Sequence, residues 1–236
     1  MRMLHAVWER TERVAAAGRL PVLVFDLDST LFDTAARNLR IAREFADAHG
    51  DPVWREAAAS LTLTDFGWSV AAPFTRLGCD DPGTLSALQT FWAERFFTDA
   101  YVREDHATAG APAFVRGCYE RGGFCYYLTG RHQGGMEVGT LEALRDRGFP
   151  VLRGRVALHL KPSFHLQDKA FKDSAIREIA DLRGDVVATF ENEPGNANLF
   201  HRAFPDALHF LIGGVHSPDA EPGHPELHRA PDFHLG

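Results

Sequence analysis

Residues 22–34 read VLVFDLDSTLFDT, with Asp26, Asp28 and Asp33 at or just past the end of an apolar run. Burying a carboxylate is costly unless an opposite charge offsets it. Two further polar groups also end apolar runs: Thr129-Gly130-Arg131 after GFCYYLT (123–129), and Glu191-Asn192 at the end of DVVATFE (185–191). These residue types suit phosphoryl chemistry. A carboxylate can attack phosphorus, dividing ester hydrolysis into formation and breakdown of an acyl phosphate. A second carboxyl two residues on can protonate the leaving alcohol and then deprotonate the attacking water. Phosphate and two carboxylates share a site only with positive charge nearby, which a lysine and an oxygen-ligated magnesium ion would supply. A lone Asp-x-Asp is more often a turn with helix-capping acids. Three polar motifs converging on one rim weigh against that reading.

The convergence depends on the elements that carry the motifs. PVLVFD (21–26), GFCYYLT (123–129), RVALHL (155–160), DVVATFE (185–191) and ALHFLIG (207–213) are short, apolar at consecutive positions and rich in β-branched or aromatic residues. That is the pattern of strands buried on both faces. Helical patterns lie between them, over 111–121, 136–147, 172–182 and 196–204, and a further helix is predicted over 3–17. Strand alternating with helix implies a parallel sheet covered on both faces, and ligands bind outside the carboxyl ends of such strands. From Ala35 to Glu104 no strand pattern occurs, whereas TAARNLRIAREFADAHG and PGTLSALQTFWAERFF read as amphipathic helices. The expected organisation is an α/β core from residues 1–34 and 105–236, with an all-helical insertion over 35–104. The tail HSPDAEPGHPELHRAPDFHLG, dense in Pro and His, is expected to lie irregularly on the surface.

Asp-x-Asp-x-Thr after a buried strand, Thr-Gly after a second, a lysine opening a later helix and an acid/amide pair after another strand resemble the haloacid dehalogenase superfamily of hydrolases. The resemblance spans about residues 21–213 without the helical insertion. It implies a three-layer, Rossmann-like α/β fold with a helical cap. By this resemblance Asp26 is the nucleophile, Asp28 the general acid and base, Thr129 a ligand of the phosphoryl oxygens, and a lysine the group that steadies the nucleophile. Lys161, Lys169 and Lys172 compete for that last role. Lys172 best matches the family's placement, with Lys169 next. Members that cleave carbon–halogen bonds lack an acid at the position of Asp28, so the resemblance favours a phosphatase.

Metal binding is implied for magnesium, through Asp26, the Asp28 backbone carbonyl, and Asn192 or Glu191. FENEPGN departs from the family here, because Asn192 stands where an acid commonly ligates the metal and Asn196 stands four residues later. A neutral amide oxygen can bind magnesium but supplies no charge. A narrower resemblance runs through YLTGRHQGGMEVGTLEALRDRGFP, LHLKP and DKAFK, which are similar to the phosphatase domains of polynucleotide kinase-phosphatases and some acid phosphatases. It would make Thr129, Gly130 and Arg131 substrate-binding residues. Salt-bridging a neighbouring loop is an equal alternative for Arg131. The insertion's aromatics, Phe66, Trp68, Phe74, Trp92, Phe96 and Phe97, either line a substrate pocket or fill the insertion's own core.

Composition bounds the partners. Among 236 residues the formal net charge is -7, which disfavours a nucleic-acid binder that works by electrostatics alone. No apolar stretch approaches the length of a membrane span. Three cysteines without paired spacing suit a reducing compartment, and a cytoplasmic location is expected. Twelve histidines show no zinc-binding spacing, and only His132 lies beside a motif. The leading expectation is therefore a magnesium-dependent phosphomonoesterase acting on a small phosphorylated molecule. The alternatives are a phosphotransferase or mutase, a nucleotide or polynucleotide-end phosphatase of the same superfamily, and a catalytically weakened binding protein.

Overall fold

The computed structural model describes residues 2–235. The chain opens with α1 (Arg2–Ala16), β1 (Pro21–Phe25) and the short β2 (Phe32–Asp33). An all-helical stretch follows: α2 (Ala35–His49), α3 (Pro52–Ser60), a 3-10 turn (Leu63–Asp65), α4 (Ala72–Arg76), α5 (Pro82–Phe96) and α6 (Asp99–Val102). Then come β3 (His106–Ala107), α7 (Ala111–Glu120), β4 (Phe124–His132), α8 (Gln133–Asp146) and β5 (Val156–Lys161). The last part comprises α9 (Asp168–Asp181), β6 (Asp185–Glu191), α10 (Pro194–Ala203), β7 (Leu208–Ile212) and β8 (His228–Ala230).

Six parallel strands form one sheet in the order β5-β4-β1-β6-β7-β8. The five long strands fall where consecutive apolar residues predict them. β1 is buried along its whole length and alternates between two cores. Leu23 and Phe25 pack with Leu4 and Val7 of α1, Phe114 of α7 and Leu144 of α8. Val22 and Val24 pack on the other face with Phe171 and Ile179 of α9 and Phe200 of α10. Helix, sheet and helix thus make the three layers. No helix among the described residues is long and apolar enough to cross a membrane.

Two short pairings escape the sequence pattern. Phe32 and Asp33 pair antiparallel with Ala107 and His106, closing the two stems of the helical insertion. The tail is not wholly irregular: His228, Arg229 and Ala230 add a sixth strand beside Phe210, Leu211 and Ile212, and Leu227 and Phe233 are buried. Pairing with an existing edge, rather than an apolar run, makes that strand.

The insertion builds its own core from Phe45, Trp54, Phe66, Phe74 and Leu88. Its helices carry clear start and stop signals. Asp33 Oδ1 accepts a bond from Ala35 N at 2.8 Å as α2 begins, and Gly50 ends that helix at φ 84°, the left-handed region where a Cβ is strained. Asp51 and Asp81 each cap a helix whose first residue is proline. The insertion's last helix docks closely on the core. A Cβ at Gly139 of α8 would lie 2.5 Å from the Asp99 carbonyl oxygen, and Gly139 N donates to Asp99 Oδ1 at 2.6 Å.

One buried histidine links this core to pH. His209 of β7 hydrogen-bonds Thr189 Oγ1 at 2.8 Å and the Phe204 carbonyl at 3.0 Å, and burial lowers its pKa to about 4. The unfolded chain therefore binds more protons between the ordinary histidine pKa near 6.5 and that value. Stability should fall as pH drops through this window. His209→Gln, which carries no titrating group, should flatten the fall in melting temperature between pH 6.5 and about 4. Identical pH slopes for the two proteins in thermal melts would reject His209 as the source.

Candidate active site

Strand register brings the sequence motifs to one rim. Phe25 lies opposite Tyr127 on one side and Phe190 on the other, so Asp26, Leu128 and Glu191 lie level with each other where β1 and β6 end, while β4 runs on to His132. Asp26 N donates to the Phe190 carbonyl at 3.0 Å, holding the strand end in place. Beyond Asp26 the chain turns tightly: Ser29 has φ 59°, and Phe32 N donates to the Leu27 carbonyl at 2.9 Å. A non-glycine residue in the left-handed region costs energy and persists where the surroundings fix it. This rim lies where the chain, having run outward through β4 and β5, crosses β1 to β6. Such a switch point leaves a crevice at the strand ends. A cavity of about 400 Å³ occupies it, lined among others by Asp26, Asp28, Thr129, Gly130, Arg131, Lys172 and Asn192.

Lys172 reaches the rim from α9. That helix begins at Asp168, so Lys172 sits in its second turn rather than opening it as the sequence predicts. Its Nζ donates to Asp26 Oδ1 at 2.7 Å and to Glu191 Oε1 at 2.6 Å, with all three side chains buried. Burial lowers a lysine pKa, but the two carboxylates outweigh it and raise Lys172. The other candidates point elsewhere. Lys169 is exposed and pairs with Glu221 at 3.3 Å, while Lys161 pairs with Asp168 at 2.6 Å at the cavity's edge.

Two carboxylates share this single lysine. Burial raises the pKa of Asp26, and it pushes Glu191 up to about 8. Among the described residues Glu191 Oε2 has no hydrogen-bond partner. The cluster is therefore one positive charge short. Thr30 Oγ1 donates to Asp26 Oδ2 at 2.9 Å and lies 3.5 Å from Asn192 Oδ1. Asn192 Nδ2 donates to the Val215 carbonyl at 2.8 Å, which turns its Oδ1 toward Thr30 and Asp26. Hard oxygen donors beside uncompensated negative charge fit a magnesium ion. Glu191 Oε1 is committed to Lys172 while its Oε2 is unpaired, and Asn192 Oδ1 lies 3.5 Å from Thr30 Oγ1, so each residue offers one oxygen to a metal.

Asp28 and Arg131 are bound to each other, the salt-bridging alternative for Arg131. Arg131 is buried at the cavity's lining, with its guanidinium engaged by two carboxylates. It donates to Asp28 Oδ1 from Nε at 3.0 Å and to Asp105 Oδ2 from Nη2 at 2.8 Å. Arg37 completes the group, donating to Asp28 Oδ1 at 3.1 Å and, through Nε, to Asp105 Oδ1 at 2.9 Å. Burial would raise the Asp28 carboxyl, but Arg131 and Arg37 overcome it and bring the pKa down to about 2. Asp28 is thus an ionised base in this arrangement. Sequence reasoning misses Arg37 and Asp105, which come from the first helix of the insertion and the segment just after its last helix. A charged residue on the buried face of α2, beside Asn38, Ile41 and Phe45, is the one signal that could have found Arg37.

The insertion's aromatics divide between the two expected roles. Phe66 and Phe74 fill its core, whereas Trp68, Trp92, Phe96 and Phe97 line the cavity.

No family model matches the chain, and no curated protein matches its sequence. Solved structures do match its fold. Protein Tyrosine Kinase A of Mycobacterium tuberculosis aligns with a TM-score of 0.55 at 13% identity, over 90% of this chain and 94% of that one. CbbY from Rhodobacter sphaeroides, solved in complex with phosphate, aligns at 0.52 and 18% identity, over 91% and 95%. A HAD-superfamily hydrolase of subfamily IA from Geobacter sulfurreducens aligns at 0.53 and 13%, over 91% and 93%. Parallel sheet, switch-point rim and helical insertion after the first strand together give this chain the fold of the haloacid dehalogenase-type hydrolases.

Proposed function

We propose that the chain is a magnesium-dependent phosphomonoesterase that hydrolyses a small phosphorylated molecule through an aspartyl-phosphate on Asp26. The observation that carries this reading is the buried Asp26–Lys172 pair at 2.7 Å, set at the strand-end rim within the cavity that Thr129 and Asn192 also line. Lys172 orients the Asp26 carboxylate and favours its ionised form against the burial that opposes it, with one oxygen free of the lysine to attack phosphorus. As the Asp26 oxygen–phosphorus bond forms, the ester oxygen–phosphorus bond breaks, and the leaving oxygen takes a proton that Asp28, ionised in the free protein, first receives from the phosphate monoanion as the substrate binds. Water then attacks the same phosphorus and gives its proton back to Asp28, releasing phosphate. Thr129, on β4 and in the cavity's lining, would bind a phosphoryl oxygen through its hydroxyl. Asp26, the Asp28 backbone carbonyl and Asn192 would hold the magnesium ion, which neutralises phosphoryl charge when bound. The insertion over 35–104 acts as a cap that limits water and substrate size.

Phosphate release from an aryl phosphate, with and without magnesium, tests the reading, and absence of release under both conditions across a phosphometabolite panel would reject it. The metal assignment has its own measurement. Asn192→Asp should tighten magnesium binding by about tenfold, because it adds ligand charge in a partly desolvated site. Unchanged affinity in magnesium titrations would remove residue 192 from the metal site.

A further inference from the structure

The cavity beside Asp26 has two unlike kinds of lining. At the rim its polar groups are largely paired with one another: Lys172 with Asp26 and Glu191, Lys161 with Asp168, Asp28 with Arg131. The wall that the insertion contributes is built of rings. Trp92 meets Phe96 at 4.5 Å and Phe97 at 5.4 Å between ring centres, and Phe97 meets Phe164 at 5.0 Å. Phe164 follows β5 of the core, so this row crosses from the insertion to the core. Asn38, the amide on that wall, already accepts from Trp92 Nε1 at 2.8 Å, which fixes the indole plane. Trp68 and Phe164 line the cavity yet remain 55% and 47% exposed. Large aromatics at such exposure leave apolar surface that a ligand could cover.

A polyhydroxylated leaving group needs a matching set of unpaired donors and acceptors, since each unmatched hydroxyl loses its water for nothing. This wall offers few. Rings instead favour a flat partner by offset or edge-on stacking. We propose that the substrate is a phosphate monoester carrying a planar aromatic group, with Trp68 and Phe164 as the specificity-determining residues. The inference rests on the phosphatase reading for the phosphate end alone.

Unreactive phosphonates separate ring recognition from leaving-group chemistry. In calorimetric titrations with magnesium present, benzylphosphonate should bind at least about tenfold more tightly than methylphosphonate. Trp68→Ala and Phe164→Ala, at exposed positions where folding is not at stake, should each remove most of that ratio. Equal binding of the two phosphonates, or an unchanged ratio in both variants, would overturn the proposal even in a protein that hydrolyses phosphate esters. A ring preference that needs Trp68 and Phe164 would uphold it even in a protein with no hydrolytic turnover, in which case only the phosphatase reading fails.

Discussion

Asp26→Asn should lower phosphate-ester turnover by on the order of 10⁴-fold or more, because an amide cannot form the acyl phosphate. The fold should survive. Lys172 keeps Glu191 as a partner at 2.6 Å, so the substitution leaves one buried cation facing one buried anion instead of two. Removing surplus negative charge from a cluster in which burial already raises both carboxyl pKa values costs little stability. The melting temperature is therefore expected to stay within a few degrees of the parent. Turnover measured on any phosphate ester the parent cleaves, alongside thermal melts of both proteins, checks the two halves separately. Retention of more than about a tenth of the activity would remove Asp26 from the nucleophile's role. A collapsed melting temperature would instead show that its charge is needed to hold Lys172.

The contrast between Asp26 and Arg37 explains what the sequence could disclose. Asp26 ends a five-residue apolar run, and its neighbours at the rim end similar runs, so strand periodicity and sheet geometry place them together without any tertiary knowledge. Arg37 and Asp105 are separated by 68 positions and belong to no motif. Their meeting depends on how the insertion's two ends return to the core, which local patterning does not encode. Glu191 was legible as an acid at the rim, but its commitment to Lys172 depends on how α9 lies against the sheet. The edge strand at His228–Ala230 has no apolar run and exists because β7 offers an open edge. Ring chemistry was legible as composition only. Which aromatics face inward depends on how the insertion's helices pack, as where Trp54 of α3 stacks on Phe74 of α4 at 4.9 Å between ring centres.

Asp105→Asn should lower the melting temperature by on the order of 10 °C, the larger stability effect among these variants. Asp28, Asp105, Arg37 and Arg131 form a charge-balanced set joining the first motif, the second motif and both ends of the helical insertion. Arg37, Arg131 and Asp105 have no solvent-exposed side-chain surface, so water cannot replace a lost partner. Breaking a buried ion pair by removing one member costs about 3–5 kcal/mol, and about 2–4 °C accompanies each kcal/mol in a chain of this size. Burial raises the Asp105 carboxyl although both arginines oppose it, so its charge is sustained only by this company. Activity should respond in a way that mere destabilisation would not. With Asp105 neutral, two guanidinium groups face Asp28 alone and hold its pKa still lower, so it takes up a proton less readily and serves less well both as relay to the leaving oxygen and as base toward water. The expected result at a temperature where both proteins are folded is a fall in kcat of about tenfold with KM little changed. A double-mutant cycle pairing Asp105→Asn with Arg37→Met should then recover part of the lost stability, since it restores the balance of charge. Equal melting temperatures for parent and Asp105→Asn, or strictly additive effects in the cycle, would mean that the four residues do not act as a unit.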